Sequence, residues 1–453
     1  MRLSVRFALA VPRRAGAVHP RVTRFRDVGP RAARWLAVGL VGLAAGLGAA
    51  HAQVEVAPPP PHSGLPVVDG SLTDVVPRRA HRPPPPCAPQ DLRARFDVTY
   101  TGFPPEAQAA FQAALDTWAC RIDSPVPIRI DARWEVLDPT TLGSAGPFLY
   151  RNFNGAPLRD VWYPAPLADL YAGRNLGGEQ ADIEATFNAS FDGWHFDIDS
   201  PPQAREYDLY TVVLHELGHG LGIIGGFTVL NQVGTLDRED GASGEYLYDQ
   251  FAVDARDRSL LTSGLYPLES RALADVLREA VFFSGPATRR AFGGAAPLSS
   301  PDVWTTGGSY SHLDEDRFPR GTPDGLMTPF LSSSETVAEP GDVTCALLAD
   351  LGWLLAGDCA ARVGPLPGVP GRLLVFRAGP NPFARSTRFR VVGPPDAPLQ
   401  ADLFDALGRR VRALAVSPDG DLVVEGDGLA TGVYVVRVRA GDVEATQVVT
   451  AVR

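Results

Sequence analysis

Residues 213–222 of this 453-residue chain read VLHELGHGLG, which places His215 and His219 four positions apart. Residues four apart lie on the same face of a helix, so the two imidazoles can bind one metal ion. Glu216 lies one step round that helix, where its carboxylate can reach a metal-bound water without binding the metal. The apolar residues before the motif give the helix a buried side, and Gly222 allows the chain to turn sharply out of it. The stretch therefore predicts a helix that carries two metal ligands and a base.

A catalytic zinc ion normally has three protein ligands and a water molecule, so a third ligand must come from elsewhere. Six histidines follow residue 52, and two of them, His62 and His81, lie in a proline-rich segment. His195 and His312 remain as candidates for the third imidazole. His195 lies between two aromatic residues, which favours a structural role or a place in a substrate cleft. An acidic third ligand such as Glu245, in place of a histidine, is a further alternative for an H-E-x-x-H motif.

The motif resembles that of the metzincin metallopeptidases, which is H-E-x-x-H-x-x-G-x-x-H followed by a methionine turn. The first eight positions match, from His215 to Gly222, but Gly225 stands where the compact pattern has its third histidine. A long insertion before His312, and then Met327 within Leu-Met-Thr-Pro, is similar to the leishmanolysin branch of that family. In that branch an inserted subdomain displaces the third ligand.

The resemblance covers roughly residues 91–361 and implies an α+β metzincin-like catalytic domain that hydrolyses peptide bonds. Protein or peptide substrates are therefore the expected partners, and zinc (Zn2+) is the expected metal. The resemblance assigns three zinc ligands, one general base and one structural methionine beneath the metal, namely His215, His219 and His312, Glu216, and Met327.

The N-terminal pattern and the charge distribution predict an exported protein. Residues 1–52 contain nine arginines and one acid and end in Ala50-His51-Ala52, after an uncharged stretch at 35–50. This layout is typical of a secretory signal peptide, and the uncharged stretch is too short and too rich in glycine for a membrane anchor. Against the net charge of −10, the +8 of residues 1–52 leaves −18 for residues 53–453. A body this acidic argues against nucleic acid as a partner, and we expect no membrane span in the mature chain.

The cysteine count agrees with export. Four cysteines follow the predicted signal, and an even number in an exported chain predicts disulfides with three possible pairings. Proximity in sequence favours Cys87 with Cys120 and Cys345 with Cys359. In an alternative interpretation, the thiolate of Cys87 binds the metal and holds the protein latent. The disulfide with Cys120 is the preferred interpretation.

Composition divides the rest of the chain into segments. Residues 53–90 are rich in proline and predict an extended leader or propeptide rather than a packed unit. A Pro/Gly linker at 362–372 separates the 91–361 domain from residues 373–453. In this last segment, short β-branched runs separated by turn residues predict a small all-β sandwich.

The last segment also resembles the C-terminal sorting domain of the type IX secretion system. The resemblance rests on Gly379-Pro380-Asn381-Pro382-Phe383 and on the runs at 403–411 and 429–434. It implies passage across the outer membrane, the secretion machinery as a partner, and a secreted or cell-surface location. A fibronectin-like binding module that stays attached is the alternative interpretation.

Together these features predict a secreted zinc-dependent endopeptidase, built as an α+β metzincin-like catalytic domain followed by a small all-β sandwich. The alternative is a non-catalytic surface binding protein on a degenerate metzincin scaffold, which Gly225 keeps open. Glu216 argues against that alternative, because a purely structural zinc site needs no carboxylate beside its ligands.

Overall fold

The computed structural model describes residues 54–59, 65–68, 92–236, 243–261, 264–305, 308–363, 373–377, 382–392, 398–417, 420–441 and 443–452. The predicted signal peptide at 1–52 lies outside these residues, as do most of the predicted leader and of the predicted linker. Residues His51–Arg453 form one compact unit. Within the described ranges, no helix is long and apolar enough to cross a membrane.

Seven α-helices and 25 strands occur in the described residues. The helices are α1 (Pro105–Ala119), α2 (Ala165–Ala172), α3 (Leu209–Gly220), α4 (Arg271–Glu279), α5 (Pro286–Phe292), α6 (Asp342–Leu351) and α7 (Gly357–Val363). The strands before the linker are β1 (Glu55–Ala57), β2 (Leu65–Val68), β3 (Phe96–Thr101), β4 (Ile122–Asp123), β5 (Ile128–Glu135), β6 (Thr141–Pro147), β7 (Leu149–Arg151), β8 (Tyr163–Pro164), β9 (Ile183–Asn188), β10 (Trp194–His195), β11 (Tyr207–Asp208), β12 (Thr228–Leu230), β13 (Val233–Thr235), β14 (Ala252–Asp254), β15 (Val281–Phe283), β16 (Ala296–Pro297), β17 (Leu331–Ser332) and β18 (Leu354–Leu355). Those after it are β19 (Leu374–Arg377), β20 (Ser386–Val392), β21 (Leu399–Asp405), β22 (Arg410–Leu414), β23 (Asp421–Glu425), β24 (Gly432–Ala440) and β25 (Val443–Ala451).

A mixed six-stranded sheet in the order β17-β2-β6-β9-β5-β3 supports the larger, N-terminal part. Strands β3, β5 and β9 are parallel to one another, whereas β6 runs antiparallel to β9. Because side chains alternate along a strand, Ile130 and Ala132 of β5 share one buried face with Ile183 and Phe187 of β9. This apolar face is the surface against which the helices pack.

Helix α3 is held between α1 and the sheet. Trp118 of α1 is fully buried, and its indole N–H donates to the carbonyl of Leu214 in α3 at 3.1 Å. On the sheet side, Gly220 of α3 lies so close to Ile183 that a Cβ at Gly220 would be 2.8 Å from two of its carbons. These two contacts fix the rotation of α3, and with it the direction of the histidine-bearing face.

Both ends of α3 are defined by side-chain contacts. Asp208 caps the first turn, since its carboxylate accepts from the backbone N–H of Thr211 at 3.2 Å. At the other end, the indole N–H of Trp353 donates to the carbonyl of Leu221 at 2.8 Å. Gly222 follows with φ +118, and a Cβ there would be 2.7 Å from Pro164. The sharp turn predicted at Gly222 is therefore confirmed.

Two strands from the predicted leader pair with the body of the protein. β1 runs antiparallel to β7, with Val56 opposite Tyr150. β2 lies between β6 and β17, antiparallel to the first and parallel to the second. These parts of the leader are therefore incorporated into sheets rather than extended away from the protein.

The C-terminal part consists of two antiparallel sheets, in the orders β19-β20-β23 and β22-β21-β24-β25. Phe389, Leu403 and Val436 belong to the apolar core of this part. Gln447 on β25 is buried and its side-chain amide donates to the carbonyl of Tyr171 in α2, at 3.1 Å. The two parts are therefore in direct contact. Of the residues that suggested a sorting domain, 379–381 lie outside the described residues.

The structure corrects the predicted fold class, an α+β metzincin-like catalytic domain followed by a small all-β sandwich. Strands dominate, since 25 of them are distributed over eight sheets, seven of which have only two to four strands. The largest sheet includes β2, which comes from the predicted leader, and β17, which has only two residues. The prediction was wrong because strands of two residues, such as β10 and β18, show no alternation that a sequence pattern can detect.

The cysteines in the described part are disulfide-bonded. Cys345 at the start of α6 is bonded to Cys359 in α7, as predicted from their proximity in sequence. Cys120 is also disulfide-bonded, whereas its predicted partner Cys87 lies outside the described residues.

Candidate metal centre

Three histidine side chains converge beside α3. Nε2 of His219 lies 3.1 Å from Nε2 of His215 and 3.1 Å from Nε2 of His312, and the third pair is 3.2 Å apart. All three residues are buried, with 2%, 2% and 3% of their surface exposed. Within the described ranges, no other group of three histidine, cysteine or carboxylate ligands comes together in this way. The near-equilateral triangle of nitrogens could hold a metal ion.

Backbone carbonyls set the tautomer of the two helical histidines. Nδ1 of His215 lies 2.6 Å from the carbonyl of Leu326, and Nδ1 of His219 lies 2.7 Å from the carbonyl of Ile223. A carbonyl oxygen only accepts, so each Nδ1 must carry the proton and each Nε2 must present its lone pair. Burial, reinforced by His219, lowers the pKa of His215 to about 3, and burial lowers the pKa of His219 to about 4. Both rings are therefore neutral at physiological pH, the form that binds metals.

The nitrogen triangle has the size that a tetrahedral metal ion requires. With zinc-to-nitrogen bonds of about 2.0–2.1 Å, tetrahedral angles place two imidazole nitrogens about 3.3 Å apart. The observed separations of 3.1 and 3.2 Å are close to this value. In addition, the Nε2 atoms of His215 and His219 are both acceptors, and two lone pairs in such contact are stable only with positive charge between them. The residues therefore fit a bound cation.

Glu216 is buried next to the first ligand and is oriented by the central sheet. It has 1% of its surface exposed, and its Oε2 accepts from the backbone N–H of Ala145 in β6 at 2.8 Å. A hydrogen bond from a backbone amide stabilises the ionised carboxylate and fixes its direction. The predicted general base is thus hydrogen-bonded to β6, the strand next to β2.

Met327 packs directly against the helix that bears the ligands. A Cβ at Gly218 would lie 2.6 Å from its sulfur and 3.1 Å from its terminal methyl, so only glycine leaves room for this side chain. The carbonyl of Met327 accepts from the N–H of Leu313, beside the third ligand, at 2.8 Å. The preceding residue, Leu326, accepts the hydrogen bond of His215. Met327 therefore lies between the backbone groups that support His215 and His312.

Gly225 stands at the position where the compact pattern has a third histidine, and it is packed against another segment. The ring of Tyr310 occupies the space beside it, so that a Cβ at Gly225 would overlap a ring carbon of Tyr310. The N–H of Gly225 donates to the hydroxyl of Ser311 at 3.0 Å. The segment that delivers His312 thus packs onto the site from which the compact pattern would supply its own ligand.

The other two candidates for the third ligand do not join the triad. His195 lies 2.8 Å through Nε2 from the carbonyls of Asp197 and Ser200, which supports a structural role in that loop. The carboxylate of Glu245 instead accepts from the side-chain amide of Gln250 at 2.9 Å.

Sequence reasoning missed the residues that hold the His312 segment in place. Ser299 binds it through two backbone hydrogen bonds, to Tyr310 at 2.8 Å and to His312 at 2.9 Å. Asp249 binds the Tyr310 hydroxyl at 2.8 Å. The only local signal was the pair Gly225-Gly226, which marks a place where other atoms approach the backbone closely.

Comparisons with known proteins add little to this description. No protein-family model matches the chain, and no curated protein matches it. Among solved structures, the BSP domain of a biofilm-associated protein is 18% identical over 18% of this chain and 14% of that chain, with a TM-score of 0.16. CopC from Methylosinus trichosporium OB3b is 23% identical over 16% of this chain and 84% of that chain, with a TM-score of 0.14. Scores this low define neither a family nor an activity.

Proposed function

We propose that this protein is a secreted zinc-dependent endopeptidase. The buried triangle of three Nε2 atoms, with Glu216 beside His215 in the same helix, carries this proposal. Three imidazoles leave the fourth position of a tetrahedral zinc ion open, as in catalytic rather than closed structural sites. Imidazole also binds copper, nickel and iron. Zinc is favoured here because hydrolysis with a carboxylate base requires no change in the oxidation state of the metal, and zinc has no redox chemistry. The similarity of residues 215–222 to the metzincin motif supports the peptide bond as the substrate.

When bound, zinc supplies a Lewis acid that polarises the peptide carbonyl and lowers the pKa of a water molecule towards neutrality. The carboxylate of Glu216, held by the amide of Ala145, takes the proton of the attacking water. The resulting carboxylic acid then gives the proton to the leaving amine, which regenerates the base. The hydrogen bonds from His215 and His219 to backbone carbonyls keep both rings in the metal-binding tautomer throughout.

The substitution Glu216→Gln tests this proposal, because it preserves size but removes the base. We expect the purified wild type to contain about one zinc ion and to cleave casein. The variant should retain its zinc and lose at least about 100-fold in activity, the lower end of what a general base contributes. The matched control is Glu339→Gln, at a carboxylate that pairs with Arg121 at 3.1 Å, and it should cleave normally. If wild type and variant both bind zinc and neither cleaves any substrate, the peptidase proposal fails in favour of a binding protein.

We also propose that the protein is exported through its N-terminal signal and sorted by its last domain. The disulfide between Cys345 and Cys359 supports an oxidising compartment. The type IX assignment rests on the sequence resemblance of residues 373–453. Fusion of that segment to a reporter in a host with the secretion system tests it, and retention of the reporter in the periplasm would contradict it.

A further inference from the structure

The segment that brings His312 into the site is anchored by a buried carboxylate outside the triad. Asp249 lies in the short 3-10 turn Tyr248–Phe251 and has 0% of its surface exposed. Its carboxylate accepts from the N–H of Tyr246 at 2.7 Å, from the N–H of Gly226 at 2.9 Å and from the hydroxyl of Tyr310 at 2.8 Å. The carboxylate therefore joins three separate pieces of chain at one point.

Tyr310 connects this anchor to the third ligand two residues later. Its φ of +46 lies in the left-handed region, which a non-glycine side chain adopts only when its surroundings enforce it. The surroundings do so here, since the residue is 1% exposed and its carbonyl accepts from the hydroxyl of Tyr248 at 3.3 Å. Any rotation of the Tyr310 backbone would be transmitted directly to His312.

The glycine pair that follows α3 is shaped for the same contact. A Cβ at Gly225 would collide with the Tyr310 ring, and a Cβ at Gly226 would lie 2.8 Å from the Asp249 carboxylate. The two glycines after α3 thus leave room for both partners of the hydrogen bond between Asp249 and Tyr310. This matters because His312 is 93 residues from His219 in sequence, so its position depends wholly on tertiary anchors.

We propose that Asp249 is a positioning residue that sets the place of His312 through the hydroxyl of Tyr310. The side chain of Asp249 pre-organises the third imidazole, and its loss weakens metal binding without removing a ligand. The inference concerns the metal site itself and holds whichever reaction the site performs.

Two variants test this inference, with zinc affinity measured by competition with a chromophoric chelator. Tyr310→Phe removes the donor of the hydrogen bond, and Asp249→Asn replaces one carboxylate oxygen by an NH2 group, so that at least one of the three donors to Asp249 loses its acceptor. Each variant should weaken zinc binding by about 10–100-fold, as for other supports of metal ligands. The absorption bands of the cobalt-loaded protein should shift as well, because the geometry around the metal changes. Tyr310→Phe removes one oxygen only, so it keeps the test valid if Asp249→Asn does not fold.

The control is Asp350→Asn, another buried aspartate that accepts two backbone N–H groups, from Ala287 and Thr288 at 2.8 Å each. It should lower the thermal unfolding temperature while leaving zinc affinity and the cobalt spectrum unchanged. The inference is overturned if Asp249→Asn and Tyr310→Phe bind zinc as tightly as the wild type. It is equally overturned if Asp350→Asn weakens zinc binding by the same factor, since the effect would then be general destabilisation.

A second, independent observation concerns β2, the leader strand between β6 and β17. Its neighbour β6 carries the amide of Ala145 that binds Glu216, and Leu65 of β2 pairs with Gly143 of that strand. Its other neighbour, β17, begins four residues after Met327 and pairs with β2 through Leu331 opposite Val67. An extended segment of the chain therefore joins the two strands that flank the candidate site.

A gap between two strands accepts an extended peptide through backbone hydrogen bonds, largely without regard to its sequence. We infer that β2 lowers the activity of the full chain, without abolishing it, by occupying the gap that an extended substrate would use. This second inference rests on the proposed peptidase function, because β2 can lower only an activity that exists.

Backbone substitutions in the otherwise intact chain test this suppression of activity. Val67→Pro removes the N–H of a β2 residue that pairs with β17, and should raise casein hydrolysis by at least about tenfold if this pairing blocks the site. The control Val75→Pro makes the same change in the leader outside β2, and should behave as the wild type does. Equal activity of all three proteins, or loss of activity in Val67→Pro alone, would overturn the inference. If all three bind zinc and none cleaves casein, the peptidase proposal itself has failed.

Discussion

The contact between Gly218 and Met327 predicts a measurable coupling between helix packing and metal binding. In Gly218→Ala, the new methyl group would lie 2.6 Å from the sulfur and 3.1 Å from the terminal methyl of Met327, and 3.8 Å from Trp118. Met327 has 0% of its surface exposed, so it cannot relieve the overlap by moving into solvent. Overpacking of this kind costs about 1–3 kcal/mol, whereas alanine in a helix gains about 1 kcal/mol over glycine. We expect a net loss of up to about 2 kcal/mol in the free energy of unfolding.

The same substitution should weaken metal binding, because a displaced Met327 also moves Leu326. The carbonyl of Leu326 accepts from Nδ1 of His215 at 2.6 Å, and loss of such a support typically costs about tenfold in affinity. Urea unfolding of the metal-free protein measures the change in the free energy of unfolding. Competition for zinc with a chelator measures the change in zinc affinity separately.

Gly234→Ala is the control for this prediction. It adds the same methyl group outside α3, in β13, 2.5 Å from a side-chain carbon of Leu273 in α4. We expect a similar loss of stability with no change in zinc affinity. If Gly218→Ala is as stable as the wild type and binds zinc equally well, Met327 is not pressed against the helix and the reasoning is refuted.

Three further predictions concern the ligand set, a buried acid pair and the disulfide. His312→Ala should lose most of its bound zinc because only two imidazoles remain, whereas full retention of zinc would exclude His312 as a ligand. Burial and the charge of Asp182 raise the pKa of Asp169 to about 8, and burial raises the pKa of Asp182 to about 6. A raised carboxyl pKa favours the protonated form in the folded state. The contribution of the acid pair to the free energy of unfolding is therefore complete below about pH 4 and is lost as the pH rises towards about 8. Asp169→Asn should therefore flatten the fall in the thermal unfolding temperature between about pH 4 and pH 8, and an unchanged slope would contradict it. Replacing Cys345 and Cys359 by serine opens a cross-link with a sequence separation of 14, which should lower the free energy of unfolding by about 3 kcal/mol in urea titrations, and no change would contradict a stabilising role.

Local patterns in the sequence were sufficient for one side of the site. The spacing of His215 and His219 placed both on one face of a helix, and the helix is present from Leu209 to Gly220. The turn at Gly222 and the pairing of Cys345 with Cys359 were likewise correct. Each of these features depends on residues that are close in the chain, so their geometry follows from helix periodicity and from short loops.

The fold class could not be predicted in the same way. Pairing of β2 with β6 and β17 joins residues 65–68 to residues near 141 and 331, and no repeating pattern in the sequence marks such a pairing. Strands of two or three residues are stabilised by their neighbours rather than by their own composition. The number and order of the sheets therefore emerge only when the whole chain is packed.

Residue types and spacing by themselves determined that two imidazoles and one carboxylate lie together on a helix. Only the tertiary structure decided that His312, and not His195 or Glu245, completes the set. The physical reason is that the third ligand is placed by packing across a long insertion. A glycine makes room for an aromatic ring, and a buried carboxylate holds the hydroxyl of that ring. These contacts have no periodicity along the chain, so they exist only in the folded protein.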